Sequence, residues 1–311
     1  MTELAEISQI LRRLGTDGAV LSDRQVAHVV ASGRDLLSQQ EIPGVIISSE
    51  SKADGLATQI TVKRDAKITN PIHLCIGVLH ETGKQMIRLG LKFERHSEAK
   101  VIAHCFFPRA QNVEHAMDAA IEIESGARLH YSEDHYHGPF GGVTVVPKAK
   151  VRVHPNGRYV SDFSLTSGRV GKLDIDYRVE VDADAVAELT AKVFGHAEDD
   201  IRIREEVVLS GENARSLIKT RVALEGQARA EVTGVTEGKA KGARGHVDCL
   251  EILKDQALAQ AIPIVRVSHP LAKVTHEAAI GSIDQKQLET LMAHGLAPEQ
   301  AVEMLVAGLL R

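Results

Sequence analysis

The side chains best suited to chemistry begin near the end of the chain, in the segment Gly245-His246-Val247-Asp248-Cys249. The thiolate of Cys249 would bind sulfur or iron if a nearby cation or metal lowered its pKa. On a strand, His246 and Asp248 would share one face, and Val247 and Cys249 the other. Because a free cysteine is also a common core residue, a buried inert thiol is the alternative.

The dipeptide His276-Glu277 is the second group of interest. Neighbouring residues on a strand point to opposite faces, so the two can serve one site only if the chain bends there. The sequence Ala278-Ala279-Ile280-Gly281 predicts such a bend. Together with Cys249, the dipeptide supplies sulfur, imidazole and carboxylate ligands, a mixture compatible with iron or zinc.

Glu133, His135 and His137 form a third group, in which the polar side chains recur at every second residue. If the segment is extended, all three lie on one face and could bind a single metal ion. A solvated polar strand face leading to a corner is the alternative. His104-Cys105 is a further possible ligand pair, although the apolar residues around it favour burial.

Missing motifs exclude several enzyme classes. The sequence has no Gly-x-x-x-x-Gly-Lys-Ser/Thr loop, so the chain is not expected to bind nucleotide itself. It also lacks the Gly-x-Ser-x-Gly and His-Glu-x-x-His motifs of esterases and zinc peptidases. The cysteines Cys75, Cys105 and Cys249 include no Cys-x-x-Cys pair and are too scattered for a disulfide framework.

The composition describes a mildly acidic protein with an aliphatic core. Of the 311 residues 43% are hydrophobic but only 3% aromatic, so the core must be built from Val, Ile, Leu and Ala. The formal net charge of -5 gives no electrostatic signature for nucleic acid or an anionic membrane. There is no apolar run long enough to span a bilayer and no secretory signal at the N-terminus, so we expect a cytoplasmic location.

Residues 1–41 are predicted to form an N-terminal helical region. One apolar face recurs at the three-to-four spacing of a helix and consists of Leu4, Ile7, Ile10, Leu11 and Leu14. After a break, Ser22 precedes a second apolar series that includes Val26, Val29 and Val30. This arrangement predicts an N-capped second helix.

Residues 42–281 are predicted to form the core, a right-handed parallel β-helix. Their hydrophobic period is two, and strands repeatedly meet a polar turn followed by alanine, as at Ala66, Ala99, Ala127, Ala149, Ala228 and Ala272. Short strands, tight corners and small inward residues are what stacked β coils require. A β-sandwich is the alternative, but Asn156-Gly157 is the only Asn-Gly hairpin signal. Within this region, residues 111–120 could form two helical turns.

Residues 282–311 are predicted to form a C-terminal helical hairpin for partner docking. Asp284 and Gln287 make a capping-box pattern, Gly295 ends the first helix, and Pro298 opens the second. Such a hairpin either packs back on the β region or offers its outer face to another chain.

The C-terminal part of the chain resembles the SufB/SufD family, the scaffold proteins of iron–sulfur cluster assembly. The residues that carry the resemblance are the segment Gly245–Cys249, the block Lys273–Asp284 and the tail from Gln287 to Ala301. Strand, corner and helical hairpin follow one another in this order, which makes the match specific. Residues 42–244 share only the general β-helix patterning.

The resemblance implies a β-helix with helical ends that pairs with a second subunit through the β-helix edges. It also implies that the C-terminal helices bind a SufC-like ABC ATPase, whose ATP hydrolysis would expose a cluster-building site at the subunit interface. The chain would then be a scaffold rather than an enzyme, carrying an iron–sulfur cluster transiently, with the sulfur donor unknown. Thiolates are the usual ligands of such clusters. The implied ligands are Cys249, His276 and Glu277, with Cys105 or His104 as a further ligand.

Two departures from the family pattern bear on these roles. The interval from Cys249 to Glu277 is one residue shorter than in SufB-like chains, so either Cys249 or Asp248 occupies the family's cysteine position. The chain also lacks the cysteine-rich N-terminal motif of many SufB proteins and is much shorter. This favours a minimal member that forms a homodimer, with a SufB–SufD-type heterodimer as the alternative.

Two other functions remain open. The chain could be a purely structural SufD-like subunit that binds the ATPase without carrying a cluster. It could also be a β-helix metalloenzyme that uses Glu133, His135 and His137. The scarcity of aromatic residues argues against an enzyme of this fold that acts on carbohydrate.

Overall fold

The computed structural model describes residues 2–310, except for the side chains at positions 285, 299 and 303. A helix, α1, spans Glu3–Arg13, and a short 3₁₀ helix spans Gly18–Leu21. The β region follows and ends in two helices, α2 (Gln285–Ala293) and α3 (Pro298–Leu309).

The strands between these helices alternate between two sheets. They are β1 (His28–Ser32), β2 (Asp35–Gln40), β3 (Val45–Lys52), β4 (Gly55–Val62), β5 (Ile72–Gly77), β6 (Thr82–Phe93), β7 (Glu98–Phe107), β8 (Asn112–Ile123), β9 (Arg128–His137), β10 (Val143–Val153), β11 (Arg158–Leu165), β12 (Gly171–Val181), β13 (Val186–Gly195), β14 (Asp200–Leu209), β15 (Arg215–Leu224), β16 (Arg229–Gly238), β17 (Arg244–Leu253), β18 (Leu258–Val267) and β19 (Lys273–Ser282).

The two sheets form a parallel β-helix, as the sequence predicts. Sheet A has the order β19-β17-β15-β13-β11-β9-β7-β5-β1-β2, and sheet B has the order β18-β16-β14-β12-β10-β8-β6-β4-β3. From β4 onward, each strand pairs in parallel with the strand two places along, so each coil contributes one strand to each sheet. Since side chains alternate along a strand, the apolar half of each strand faces the lumen between the sheets.

The corners between strands explain the recurring alanines. A residue in the left-handed conformation precedes a fully buried alanine at Gly126-Ala127, Asp184-Ala185, Asn213-Ala214 and Gly242-Ala243. Glycine, asparagine and aspartate adopt this conformation most readily, and alanine is small enough to fit inside a tight corner. Ala99 and Ala149 are exceptions, because they lie within β7 and β10, in register with Leu129 and Ala119, rather than at a corner.

Ala197 occupies one of these left-handed corners with φ +50° and offers a test of the corner geometry. Ala197→Gly should raise the free energy of unfolding by about 0.5–1 kcal/mol, since glycine adopts this conformation without steric cost. Ala259→Gly, within β18, is the matched control and should lower it. Urea unfolding curves of both variants measure the difference, and equal destabilisation by both would contradict a strained corner.

The predicted first helix is confirmed, but the second is wrong. The apolar face of α1, with Ile7, Ile10 and Leu11, packs on the outer side of sheet A. Residues 28–40 instead form the antiparallel hairpin β1–β2, with Gly33 at φ +58° in the turn. The region 1–41 is therefore not wholly helical. β-Branched residues such as Val29 and Val30 favour a strand, and tertiary pairing of β1 with β5 decides the outcome.

The possible helix at residues 111–120 is also absent, because this segment lies mostly in β8. A second hairpin joins β3 to β4 through a tight turn at Ala53-Asp54, before Gly55. By contrast, Asn156-Gly157 forms a β-helix corner with Asn156 at φ +59°.

The C-terminal hairpin packs back on the β-helix along one face. Asp284 caps α2 by accepting a hydrogen bond from the Gln287 backbone N–H at 2.9 Å, and Pro298 opens α3, as predicted. Val302 and Val306 of α3 and its C-cap residue Leu310 pack with Phe194 and Ala223 of sheet A. The opposite side of the hairpin is open, with Met292 and Met304 exposed.

Candidate functional site

Cys249 lies on the lumen side of β17, near the C-terminal end of the β-helix. Its neighbours on this face are Val247 and Glu251, and the thiol is 3% exposed. In the adjacent strands it is in register with Thr220 of β15 and Ala278 of β19. Cys249 therefore belongs to the last well-covered coil, one strand from the end of sheet A.

The environment of Cys249 keeps its thiol protonated. Burial raises the pKa of Cys249 to about 12, and the nearby carboxylate of Glu251 adds to the effect. A hydrogen bond with Thr220 opposes it but is the smaller contribution. Because a buried thiolate needs a neighbouring positive charge, this sulfur would ionise only when a cation such as iron binds beside it.

Glu251 is a candidate ligand that the sequence analysis missed. It lies two residues from Cys249 on the same strand face and is fully buried. Among the described residues, neither of its carboxylate oxygens has a hydrogen-bond partner, and burial raises the pKa of Glu251 to about 7. Buried polar atoms are rarely left unpaired, so this carboxylate is suited to a cation. Glu251 continues the every-second-residue pattern of Val247 and Cys249, so the sequence could have placed it on the same strand face as Cys249.

His276 and Glu277 lie on β19, which is regular, so the predicted bend between them is wrong. His276 is in register with Val247, and Glu277 is in register with Asp248. His276 therefore projects from the same face as Cys249, whereas Glu277 projects from the outer face. Both side chains are exposed, because β19 is the last strand of sheet A.

Asp248 already has a cationic partner on the outer face. Its carboxylate accepts a short hydrogen bond from the Arg221 guanidinium, which also donates to the Asp248 carbonyl oxygen at 3.0 Å. This contact holds the pKa of Asp248 below its usual value. Asp248 and Cys249 thus face opposite sides of the sheet, and only Cys249 shares a face with Glu251 and His276.

Glu133, His135 and His137 share the lumen face of β9, as their alternation predicts. They are 1%, 3% and 3% exposed, so the face is buried rather than solvated. Cys105, on the adjacent strand β7, is in register with His135. Donor atoms of Cys105, Glu133 and His135 all lie within 4.8 Å of one another.

His104 does not join this group, although it is adjacent to Cys105. It projects from the opposite face of β7 and contacts His73, with its Nε2 at 3.1 Å from the His73 Nδ1. The two rings stack with centroids 5.4 Å apart. The predicted His104-Cys105 ligand pair is therefore split between two faces of one strand.

The two groups of candidate ligands are far apart within one chain. Cys105 lies on β7 and Cys249 on β17, and β9, β11, β13 and β15 intervene in sheet A. Five inter-strand steps correspond to about 24 Å. Neither Cys105 nor His104 can reach an ion bound to Cys249 of the same chain.

Glu205 of β14 lies between the two groups and is also buried in the lumen. Burial raises its pKa from 4.5 to about 7, although the Thr220 hydroxyl donates a hydrogen bond to it at 3.2 Å. The folded state therefore binds this proton more tightly than the unfolded state. The resulting stability is fully present below pH 4.5, is lost as the pH rises to about 7, and stays lost above it.

Glu205→Gln should remove this pH dependence. At pH 8 the free energy of unfolding of the variant is expected to exceed that of wild type by about 1–3 kcal/mol. At pH 4 the two proteins should differ little. Glu231→Gln, at an exposed position of β16, should leave the profile unchanged. Denaturant unfolding at several pH values measures this, and parallel profiles for wild type and Glu205→Gln would contradict the assignment.

The last coils of the parallel β-helix thus place a buried thiol and a buried carboxylate on one strand face, with an exposed imidazole on the same face of the neighbouring strand. Residues 78–309 match the family model described as "SUF system FeS cluster assembly, SufBD core domain". The chain belongs to this family, whose members take part in iron–sulfur cluster assembly.

Similar curated proteins extend the match over almost the whole chain. An iron-sulfur cluster assembly SufBD family protein of Methanocaldococcus jannaschii is 35% identical over 308 residues, covering 99% of this chain and 98% of that protein. A protein of the same description from Pyrococcus horikoshii is 33% identical over 308 residues, with 99% and 94% covered. One from Archaeoglobus fulgidus is 25% identical over 244 residues, with 78% and 65% covered. Within residues 2–310, no helix has the length and apolar character needed to cross a bilayer.

Proposed function

We propose that this chain is a scaffold subunit on which an iron–sulfur cluster is assembled, and that Cys249, Glu251 and His276 form the assembly site. The observation that carries the proposal is the unpartnered, buried carboxylate of Glu251 beside the thiol of Cys249. Iron and sulfide are the substrates of this assembly. A bound iron would offset the burial that raises the pKa of both groups, and it would supply the charge that Cys249 needs to ionise.

The three ligands differ in access, which suggests an order of use. His276 is exposed at the end of the lumen, whereas Cys249 and Glu251 lie one coil deeper. Iron arriving at the open end would therefore meet the imidazole first and the thiol and carboxylate next. Glu277 lies on the outer face with Asp248, so we assign it to the rim of the site rather than to the iron.

We also propose that two copies of the chain meet at this end. In the described chain, β18 and β19 are the last strands of their sheets, so one edge of each is free to pair. Exposed apolar residues cluster in this region and include Leu258, Val267, Leu271 and Ile280. Unprotected edges with apolar side chains favour association with another strand edge. A two-fold contact would place two sets of the proposed ligands near one axis.

A SufC-like ABC ATPase is the proposed partner of α2 and α3. The sequence has no P-loop, so energy from ATP has to come from another subunit. The hairpin is fixed to the β-helix through Val302, Val306 and Leu310, while Met304 on α3 is 51% exposed. Exposed methionines adapt to partner surfaces, which suits a docking face.

Anaerobic co-expression with the organism's SufC-like ATPase tests the proposal. We expect the two proteins to co-purify with iron and acid-labile sulfide, and Met304→Glu to weaken co-purification. Ile46→Glu, at an exposed position of β3 at the far end of the β-helix, is the control and should leave co-purification unchanged. A complex that contains neither iron nor sulfide would indicate a structural SufD-like subunit. The burial of Cys249 is the observation that favours this alternative.

The metalloenzyme alternative is less well supported. Glu133, His135 and His137 are almost completely buried, so a carbohydrate or other large substrate would not reach them. Their burial fits an internal binding site rather than a catalytic site.

A further inference from the structure

We propose that Cys105, Glu133 and His135 bind a divalent transition-metal ion of the zinc or ferrous class inside the β-helix, separately from cluster assembly. Their donor atoms lie within 4.8 Å of one another, and their exposures are 2%, 1% and 3%. One sulfur, one carboxylate oxygen and one imidazole nitrogen form a donor set typical of zinc and ferrous iron, not of magnesium or calcium. The site is distant from Cys249: β7, which carries Cys105, is five strand spacings or about 24 Å from β17, and β9, which carries Glu133 and His135, is four spacings or about 19 Å from it.

A chain of hydrogen bonds fixes which nitrogen of His135 can bind the ion. The Nδ1 of His137 lies 3.1 Å from the carbonyl oxygen of Arg169, to which it can only donate. The Nε2 of His137 is then an acceptor, and it receives the Nδ1–H of His135 at 3.1 Å. His135 is thereby left with a lone pair on Nε2, which faces Glu133. Metal-binding histidines are commonly oriented in this way by a hydrogen bond from the other ring nitrogen.

The carboxylate of Glu133 faces the lone pair of His135. Its Oε1 lies 2.9 Å from the Nε2 of His135, and its Oε2 accepts hydrogen bonds from the phenols of Tyr131 and Tyr177 at 3.2 and 3.4 Å. Two acceptors, Nε2 and Oε1, therefore face one another and need a cation between them. A proton on the carboxyl can fill that role, and so can a metal ion, which the sulfur of Cys105 would then also bind.

The surroundings of the site are held rigidly. The amide nitrogen of Gln85 donates to the carbonyl oxygens of Gly33 and Gly77, so its Oε1 accepts from the Nδ1 of His115 at 3.0 Å. Phe107 contacts the rings of both His115 and His137. Ligands fixed by packing and by hydrogen bonds lose little entropy when they bind an ion.

Cobalt(II) is a suitable probe, because thiolate ligation gives it an intense near-ultraviolet absorption band. Cys249 belongs to the proposed assembly site and could bind cobalt as well, so the experiment uses the Cys249→Ser protein. Since the ligands are buried, this protein is unfolded and refolded anaerobically with CoCl₂, and excess metal is removed. We expect about one ion per chain and a thiolate-to-cobalt band. Cys105→Ser should remove the band and weaken binding by at least about tenfold, and His135→Gln should weaken binding similarly.

Cys75→Ser in this Cys249→Ser background is the matched control and should keep the band and the affinity. Both cysteines are buried, but neither belongs to the group formed by Cys105, Glu133 and His135. If Cys105→Ser fails to refold, the sulfur ligand is sought in the Cys249→Ser protein by X-ray absorption at the cobalt edge. Refolded Cys249→Ser protein without sulfur-ligated cobalt, or a band that survives Cys105→Ser, would overturn the proposal.

Discussion

Cys249→Ser is expected to abolish accumulation of the iron–sulfur cluster, lowering iron and acid-labile sulfide in the anaerobically purified complex at least about tenfold. Serine keeps the size of the side chain but offers no thiolate, and the site has only one sulfur among the proposed ligands of each chain. Glu251→Gln should lower the cluster content as well, because an amide cannot supply the negative charge of the carboxylate. Chemical analysis of iron and sulfide, with visible absorption, measures both effects.

The control for this experiment is Cys75→Ser. Cys75 is buried beneath α1 on the outer side of sheet A, far from β17. This variant should retain wild-type iron and sulfide if it folds, which circular dichroism can verify. Full cluster content in Cys249→Ser would remove Cys249 from the site.

Val267→Asp is expected to separate the proposed homodimer into monomers. Val267 is 49% exposed at the end of β18, and a carboxylate there would be buried without a partner when two ends meet. We expect the dissociation constant of the dimer to rise by about 100-fold. Cluster content should fall as a consequence. Sedimentation analysis over a concentration series measures the change.

Ile46→Asp is the matched control for Val267→Asp. Ile46 is 46% exposed on β3, the last strand of sheet B at the opposite end of the β-helix. Dissociation by Ile46→Asp but not by Val267→Asp would place the contact at the wrong end of the molecule. A wild-type chain that is monomeric without the ATPase at micromolar concentration would contradict the homodimer itself.

The sequence was sufficient to predict a parallel β-helix, because the corners have a local chemistry. Gly126-Ala127, for example, combines a residue that tolerates a left-handed conformation with a small buried one. The β1–β2 hairpin was missed because Val26, Val29 and Val30 also match a helical spacing. Pairing of β1 with β5, which no local pattern contains, settles that segment as a strand.

The sequence identified individual candidate ligands, but it could not show which of them lie close together. Alternation correctly placed Glu133, His135 and His137 on one face. It could not bring Cys105 to that face, because this depends on the register between β7 and β9. Nor could it separate Cys249 from Glu277, since the register of β17 with β19 sets Cys249 against Ala278.

The most direct test of the account is to locate iron in the wild-type protein. Anomalous diffraction at the iron absorption edge would be measured on anaerobically grown crystals of the chain, co-purified with its ATPase and loaded with iron and sulfide. We expect an iron peak within bonding distance of Cys249 and Glu251, near the contact between two chains. Iron found only beside Cys105 and Glu133, or none at the end of the β-helix, would contradict the assembly site.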